Sequence, residues 1–313
     1  MSYAEGRAID PSAIPVIDLE APDLSAAMLE AAERTGFFYV RNAGVPQALV
    51  DEVFALSRRF FAAPLEAKRE AAVNQWHRGF IRAGEAKMAE GARPDLKESF
   101  VWGLDIATGP EPERGIPPNQ WPAFLPELRP ALTAYFDACN AVGWRLLRAF
   151  AASIGAREDV FVRTVDRPIS RGSIIYYPPQ PPTMGAEQFG VSPHTDYGCL
   201  TLLNQDAVGG LQVQAADGGW VTAHPIPGTF VVNVGDLLAR WTNDRFRSTP
   251  HRVVNASGRE RYSVAVFVDP NEDTVIEPVV APGETARYGR VTASAYIKGR
   301  LDAAFAYRHQ ARA

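Results

Sequence analysis

Residues 191–203 read VSPHTDYGCLTLL, which puts a histidine and an aspartate one residue apart at the start of an apolar run. The run predicts a strand, and side chains two positions apart in a strand point to the same face. We therefore expect His194 and Asp196 to face the same side. Two polar side chains are costly to bury there unless they share a partner. A metal ion is such a partner, although a polar strand edge also fits a lone His-x-Asp pair.

A third candidate ligand comes from one of the other four histidines. His251 lies in STPHRVVN and opens another apolar run several predicted strands later. In a closed β-sandwich, strands that are distant in sequence return to neighbouring positions. Two imidazoles and one carboxylate match the facial triad of non-haem iron(II) oxygenases, which leaves coordination positions open. The sequence thus predicts His194, Asp196 and His251 as metal ligands.

A candidate anion site follows in RYSVAVF, where Arg261 and Ser263 alternate on one face of a predicted strand. Arginine pairs bidentately with a carboxylate, and a serine hydroxyl adds a hydrogen bond. A buried arginine without an anion is costly, so an inward Arg261 implies an acidic ligand. An isolated arginine at this position would instead suit a solvent-exposed strand edge.

Composition and charge exclude several classes of function. The 313 residues carry a formal net charge of -4, which gives no electrostatic reason to expect nucleic acid. The first residues, MSYAEGRAIDPSAIPVIDL, lack the basic start and apolar core of a secretory signal, and no apolar run approaches the roughly 18 residues of a membrane span. Cys139 and Cys199 form no CxxC pair. We expect a cytoplasmic protein with no membrane partner.

The predicted elements change along the chain. Before about residue 170 the pattern predicts mainly helices, at 47–61, 64–73 and 131–154, with loops at 109–130 and 178–183. Two early strands are predicted at 14–20 and in GFFYVRNAGV. Afterwards short apolar runs predict strands at 173–177, 198–203, 211–214, 229–234, 251–254 and 260–268, and the residues from Val291 onward predict a C-terminal helix. This order predicts a mainly β protein with flanking helices, folded as one unit over 1–313.

A family resemblance accounts for these observations together. The matching stretches are IPVIDL, GFFYVRNAGVP, DLKESFVWG, IIYYPPQPP, PHTDYGCLTLLNQDAVGGLQV, NVGDLLARWTN, STPHRV and RYSVAVF. Through them the chain resembles the isopenicillin-N-synthase-like branch of the Fe(II)/2-oxoglutarate-dependent dioxygenases. The resemblance implies a double-stranded β-helix, or jelly roll, at 168–272 and a helical N-terminal dioxygenase region at 13–125. It also implies Fe(II) on His194, Asp196 and His251, and 2-oxoglutarate held by Arg261, Ser263 and Tyr177.

The activity implied is an oxidoreductase that uses O2 and 2-oxoglutarate to oxidise, by default to hydroxylate, a small organic substrate. No catalytic side chain beyond the metal ligands is expected, and a monomer is the favoured state. Three alternatives stay open: a 2-oxoglutarate-independent oxidase of the isopenicillin-N-synthase or ethylene-forming type, a non-catalytic ligand-binding member, and a cupin-like zinc hydrolase. The substrate, and the choice among hydroxylation, desaturation and cyclisation, also stay open.

The remaining polar and aromatic residues receive weaker predictions. His77, His224 and His309 are expected to be solvated. Residues 75–104 and the C-terminal helix are expected to form the substrate wall, with Arg78, Arg82, Lys87 and Arg300 among its charged groups. Phe100, Trp102, Phe267 and Tyr296 are candidates for its aromatic lining, although aromatics at such positions are core residues at least as often.

Overall fold

The computed structural model describes residues 14–85, 94–106, 109–113, 115–180 and 189–304. The helices are α1 (Leu24–Arg34), α2 (Gln47–Ala62), α3 (Leu65–Arg69), α4 (Leu128–Ser153), α5 (Asp236–Trp241) and α6 (Ala293–Ala304). The strands are β1 (Val16–Asp18), β2 (Phe37–Arg41), β3 (Gly79–Ile81), β4 (Glu98–Gly103), β5 (Arg171–Tyr177), β6 (Val191–His194), β7 (Leu200–Gln205), β8 (Leu211–Gln214), β9 (Trp220–Thr222), β10 (Phe230–Val234), β11 (His251–Val253), β12 (Arg261–Val268), β13 (Val275–Ile276) and β14 (Val291–Thr292).

Two sheets face each other. The larger has the order β1-β2-β10-β7-β12-β5-β4-β3, and the smaller has the order β6-β11-β8-β9. Apolar side chains from both inner faces share one buried cluster, which includes Ile175 and Val231 from the larger sheet and Leu211 and Val253 from the smaller. Strands that are distant in sequence become neighbours, as a jelly roll requires. The predicted double-stranded β-helix core is confirmed.

Three helices, α1, α2 and α4, cover the outer face of the larger sheet. α4 packs against α1, α2 and β12, and its buried residues include Leu132, Phe136, Cys139, Gly143, Leu146 and Phe150. At Gly143 an added Cβ would lie 2.6 Å from Val268 Cγ2. The absent side chain therefore allows α4 to lie close against β12.

Several element boundaries differ from the predictions. The stretch 109–130 was expected to be loop throughout, but α4 begins at Leu128 and includes Pro130. Proline is tolerated there because the first turn of a helix needs no intrahelical N–H donor. The helix predicted at 64–73 ends at Arg69. β3, β4 and β9 escaped prediction because each is short or lies in a mixed polar stretch.

The N-terminal half also contributes to the sheet, since β1 to β4 form both of its flanks. β2 pairs with β10, and β4 pairs with β5, so the helical part is joined to the jelly roll through backbone hydrogen bonds. Among the described residues, no helix has both the length and the apolar character needed to cross a membrane.

Candidate metal centre

The three predicted ligands converge at one mouth of the jelly roll. His194 ends β6 and His251 begins β11, and the two are direct partners across this antiparallel pair. Asp196 lies in the turn after β6, so the expectation that it shares a strand face with His194 is wrong. The turn nevertheless brings Asp196 Oδ1 to 3.7 Å from Nε2 of each histidine. One ligand atom from each residue lies within 4.8 Å of the others.

Hydrogen bonds orient both imidazoles. His194 Nδ1 lies 2.8 Å from the Ser192 carbonyl oxygen, and His251 Nδ1 lies 3.2 Å from the Thr249 carbonyl oxygen. A carbonyl only accepts, so Nδ1 carries the hydrogen in both rings. Each Nε2 is thereby left with a lone pair on the side of Asp196, the arrangement found in histidines that ligate metals.

The carboxylate of Asp196 is held in the same way. Its Oδ2 accepts hydrogen bonds from Thr201 Oγ1 and from Asn233 Nδ2, the latter at 2.8 Å. Oδ1 faces the two imidazoles. Thr201 and Asn233 are cross-strand partners in β7 and β10. Neither residue is predicted from the sequence, because their roles depend on the pairing of these two strands.

Electrostatics favour the metal-binding forms of His194 and Asp196. Burial, and next the neighbouring His251, lower the pKa of His194 to about 3. Burial alone would raise the pKa of Asp196, but His251, His194 and the hydrogen bonds from Thr201 and Asn233 outweigh it and leave that pKa below its ordinary value. Metal binding requires neutral imidazole and ionised carboxylate. Two imidazole nitrogens and one carboxylate oxygen, converging on one side of a cavity, fit an Fe(II) ion.

A cavity of about 140 Å³ extends from these ligands between the two sheets. Alternate residues of two paired strands line it: Arg171, Ser173, Ile175 and Tyr177 from β5, and Arg261, Ser263, Ala265 and Phe267 from β12. Tyr177 is the cross-strand partner of Arg261, and Arg171 is the partner of Phe267. The cavity thus has an arginine at each end, which we call the Arg261 end and the Arg171 end.

At the Arg261 end, the guanidinium is fully buried. It donates to the Gly209 carbonyl, to Ser263 Oγ at 3.4 Å and to Gln205 Oε1 at 3.3 Å, and it lies 4.5 Å from the centre of the Tyr177 ring. These partners are all neutral, and no carboxylate of a described residue lies within ion-pair distance of it. A buried cation beside a cavity without an anion fits a ligand that carries a carboxylate.

The Arg171 end is built from turns and a helix as well as strands. His77, Tyr197, Phe267 and Leu301 line it. His77 is buried, so the prediction that it is solvated is wrong.

The other weaker predictions have mixed outcomes. His224 is exposed, as expected. Phe100 and Trp102 are core residues, and among the four candidate aromatics only Phe267 lines the cavity. Lys87 and His309 lie outside the described residues.

Two cavity-lining cations, Lys97 and the arginine of the Arg171 end, each have an acid nearby. Lys97 Nζ lies 3.7 Å from Asp95 Oδ2, and burial raises the pKa of Asp95 while Lys97 opposes the rise. Burial likewise raises the pKa of Asp269 to about 6, and the charge of Arg171 opposes that rise. The charges at this end are therefore balanced, in contrast to those around Arg261.

Comparison with known proteins covers both halves of the chain. The family model described as the 2OG-Fe(II) oxygenase superfamily matches residues 172–270. The model described as the N-terminal region of non-haem dioxygenases in morphine synthesis matches residues 14–124. A 2-oxoglutarate-Fe(II) type oxidoreductase, hxnY of Emericella nidulans, is 34% identical and covers 92% of this chain and 89% of its own length. A homoarginine-6-hydroxylase of Glycine max is also 34% identical, with 87% and 90% covered.

Solved structures agree with these sequence matches. A full-length Neurospora crassa protein, crystallised in complex with alpha-KG and thymine, superposes with a TM-score of 0.84 at 32% identity, covering 96% of this chain and 99% of that one. JOX2 in complex with 2OG, Fe and JA superposes with a TM-score of 0.78 at 30% identity, covering 94% and 88%.

Proposed function

The chain belongs to the 2-oxoglutarate–Fe(II) oxygenase superfamily and is an Fe(II)/2-oxoglutarate-dependent dioxygenase, and we propose that His194, Asp196 and His251 hold its iron. The convergence of their three ligand atoms within 4.8 Å, at the edge of a cavity containing a buried arginine, carries this proposal. When bound, Fe(II) supplies the redox chemistry by which O2 and 2-oxoglutarate oxidise a substrate.

The residues of the chain bind and orient the other reactants. Arg261 and Ser263 are proposed to hold the distal carboxylate of 2-oxoglutarate, which supplies the anion that the guanidinium lacks. The ring of Tyr177 covers the guanidinium and keeps water from it. Thr201 and Asn233 hold Asp196 with Oδ1 toward the metal, so the ligand needs no reorganisation when iron binds.

The substrate is proposed to be a small organic molecule bound at the Arg171 end. Arg171, Tyr197 and Phe267 offer a cation, a hydroxyl and an aromatic face there. Since Arg171 has Asp269 nearby, this end suits an uncharged polar molecule better than a strong anion. Hydroxylation is the proposed outcome. We further propose a cytoplasmic monomer with no nucleic-acid or membrane partner, consistent with the two free cysteines.

An anaerobic titration tests the cofactor pair. Metal-free protein receives Fe(II) and then 2-oxoglutarate, while visible absorption is followed for the charge-transfer band of the chelate. A band with one equivalent of each, and succinate formed on admission of O2, are expected. Iron binding without a band would contradict the proposal and favour the 2-oxoglutarate-independent oxidase. Neutral and anionic candidate substrates are then compared by the amount of succinate formed with each, which tests the proposed substrate class.

A further inference from the structure

Asp236, the first residue of α5, connects the two segments that carry the candidate iron ligands. Thr195, which lies between His194 and Asp196, donates its hydroxyl to Asp236 Oδ2 at 3.1 Å. Ser248, three residues before His251, donates its hydroxyl to Asp236 Oδ1 at 2.6 Å. The backbone N–H of Asp236 donates to the Asp196 carbonyl at 2.7 Å. One carboxylate therefore braces both ligand segments.

Arg300 attaches α6 to this brace. Its Nη1 lies 2.6 Å from Asp236 Oδ2, and its Nη2 donates to Thr195 Oγ1 at 3.5 Å. The guanidinium carbon lies 4.6 Å from the centre of the Tyr197 ring. The Asp236 side chain is 13% exposed and that of Arg300 is 41% exposed, so the pair is partly shielded from water. Such a pair, shared with a hydroxyl and a ring, constrains geometry more than an isolated surface salt bridge does.

α6 also forms part of the cavity wall. Leu301, the residue after Arg300, lines the cavity beside the metal centre and a neighbouring cavity of about 470 Å³. The first turn of α6 is fixed through the backbone, because Ala293 N–H donates to Thr274 O and Ser294 N–H donates to Glu272 O. The attachments of Arg300 fix the later part of the helix, where Leu301 lies.

We propose that Arg300 is a positioning residue whose ion pair with Asp236 couples the docking of α6 to the placement of the iron ligands. The docking of α6 in the cavity wall and the binding of metal then depend on each other. The inference rests on the proposed function, since it takes His194, Asp196 and His251 as the ligands. Coupling between two sites is reciprocal. If docked α6 strengthens metal binding by some factor, bound metal strengthens the docking of α6 by the same factor.

Metal affinity is the first test. The full-length protein is titrated anaerobically with Co(II), whose visible absorption reports the bound ion, and Arg300→Met is compared with wild type. We expect Arg300→Met to bind about fivefold more weakly, below the ~10–100-fold typical of direct partners of metal ligands, because Arg300 acts through Asp236. Arg300→Lys should recover most of the loss. Arg290→Met is the matched control, since Arg290 pairs with Glu277 at 2.9 Å on an exposed surface before α6.

Hydrogen exchange of the α6 amides at 295–302 is the second test. In wild type, Co(II) should slow the exchange of these amides by the same factor by which Arg300→Met weakens Co(II) binding. In Arg300→Met, Co(II) should leave the exchange unchanged. Thr195→Val removes the hydroxyl between the ion pair and the ligand turn while keeping Arg300 and Asp236. We therefore expect its α6 to stay docked and its response to metal to shrink.

The outcomes separate the two proposals. Co(II) binding that depends on His251 but leaves the α6 amides unaffected would overturn the coupling and leave the iron site standing. Equal Co(II) affinity in Arg300→Met and wild type would do the same. If His251→Ala binds Co(II) as tightly as wild type, the ligand assignment fails, and the coupling fails with it.

Discussion

At one end of the cavity, Arg261, Ser263 and Tyr177 project from two paired strands. At the other end, His77, Tyr197 and Leu301 project from a tight turn, from the turn that carries Asp196, and from α6. The Arg261 end has a buried guanidinium with neutral partners, whereas Arg171 at the other end has the acid Asp269 nearby. One end is thus rigid and short of an anion, and the other is assembled from separate elements and balanced in charge.

This difference indicates how one chemistry can serve many substrates. A strand pair fixes side-chain positions through its register, so it suits a co-substrate that never changes. Turns and helices can be altered without disturbing the sheet, so they suit a variable substrate. Two solved relatives were crystallised with the same co-substrate but with different second ligands, thymine in one and JA in the other.

The metal ligands are needed by both ends of the cavity, so replacing one of them should lower Fe(II) affinity and turnover more than any other change. His251→Ala removes one imidazole and leaves Asp196 and His194 to bind the ion. We expect Fe(II) affinity to fall more than about 100-fold, beyond the range for outer-shell partners, and turnover to fall to background. Anaerobic Fe(II) titration and succinate assays measure both. His224→Ala, at an exposed histidine, should match wild type; a His251→Ala protein that retains tight iron would contradict the assignment.

The Arg261 end can be disabled by itself. Arg261→Gln leaves the 2-oxoglutarate carboxylate without its cation, and truncating one partner of a buried charge pair costs about 2–5 kcal/mol. We expect the KM for 2-oxoglutarate to rise about 30-fold or more, with little change in Fe(II) affinity. Steady-state kinetics and iron titration separate the two. Arg259→Gln, at an exposed arginine two residues earlier, is the control, and an unchanged KM in Arg261→Gln would show that the carboxylate binds elsewhere.

The same contrast explains which parts of the site the sequence predicts. β8 was predicted to the residue at 211–214, and β5 and β12 within two residues, because period-2 alternation is a local signal. Arg261 and Ser263 follow from that alternation. The residues of the Arg261 end can therefore be predicted from the sequence, because alternation within one strand determines which of its side chains face inward together.

The Arg171 end depends on contacts that no local pattern contains. His77 has a φ of 63° in a turn where Asn74 Oδ1 accepts the N–H groups of Trp76 and Arg78. A polar loop is the natural prediction for such a stretch, yet the turn delivers the imidazole into the cavity. Asp196 also reaches the metal centre through a turn. The contact between α6 and Asp236 joins residues 64 positions apart and depends on the complete fold.

Thr201 acts on the metal centre rather than on either end of the cavity, because its hydroxyl orients the ligand Asp196. Thr201→Val keeps the shape and removes one hydrogen-bond donor to Asp196 Oδ2. We expect about 10-fold weaker Fe(II) binding, the lower part of the range for partners of metal ligands, and an unchanged KM for 2-oxoglutarate.

Thr242→Val supplies the matched control for Thr201→Val. It also removes a buried threonine hydroxyl, but one that donates to the carbonyls of Leu238 and Ala239. Its effect should appear in thermal unfolding and not in iron affinity. If the two variants lose iron equally, the hydrogen bond to Asp196 has no specific part in holding the metal.

Leu301 tests the Arg171 end by itself and should have the smallest effect. Leu301 lines both the 140 Å³ cavity and its 470 Å³ neighbour, so Leu301→Ala should join them. Pocket contacts of this size are worth about 1–3 kcal/mol. We therefore expect kcat/KM to fall about fivefold, the lower end of that range, for a substrate that fits the smaller cavity, and larger substrates to gain relative to it. The KM for 2-oxoglutarate should stay within twofold of wild type.

Ile297→Ala distinguishes the loss of the wall between the two cavities from a general loosening of α6. Ile297 is buried on the same helix, one turn earlier, but lines only the larger cavity. Both substitutions remove a buried aliphatic side chain, so both should lower the unfolding temperature. Only Leu301→Ala should change the preference between small and large substrates, measured as a ratio of kcat/KM values. An equal change in both variants would mean that the substrate end depends on the packing of α6 as a whole, and the Arg171 end would then be one cooperative wall rather than a set of independent residues.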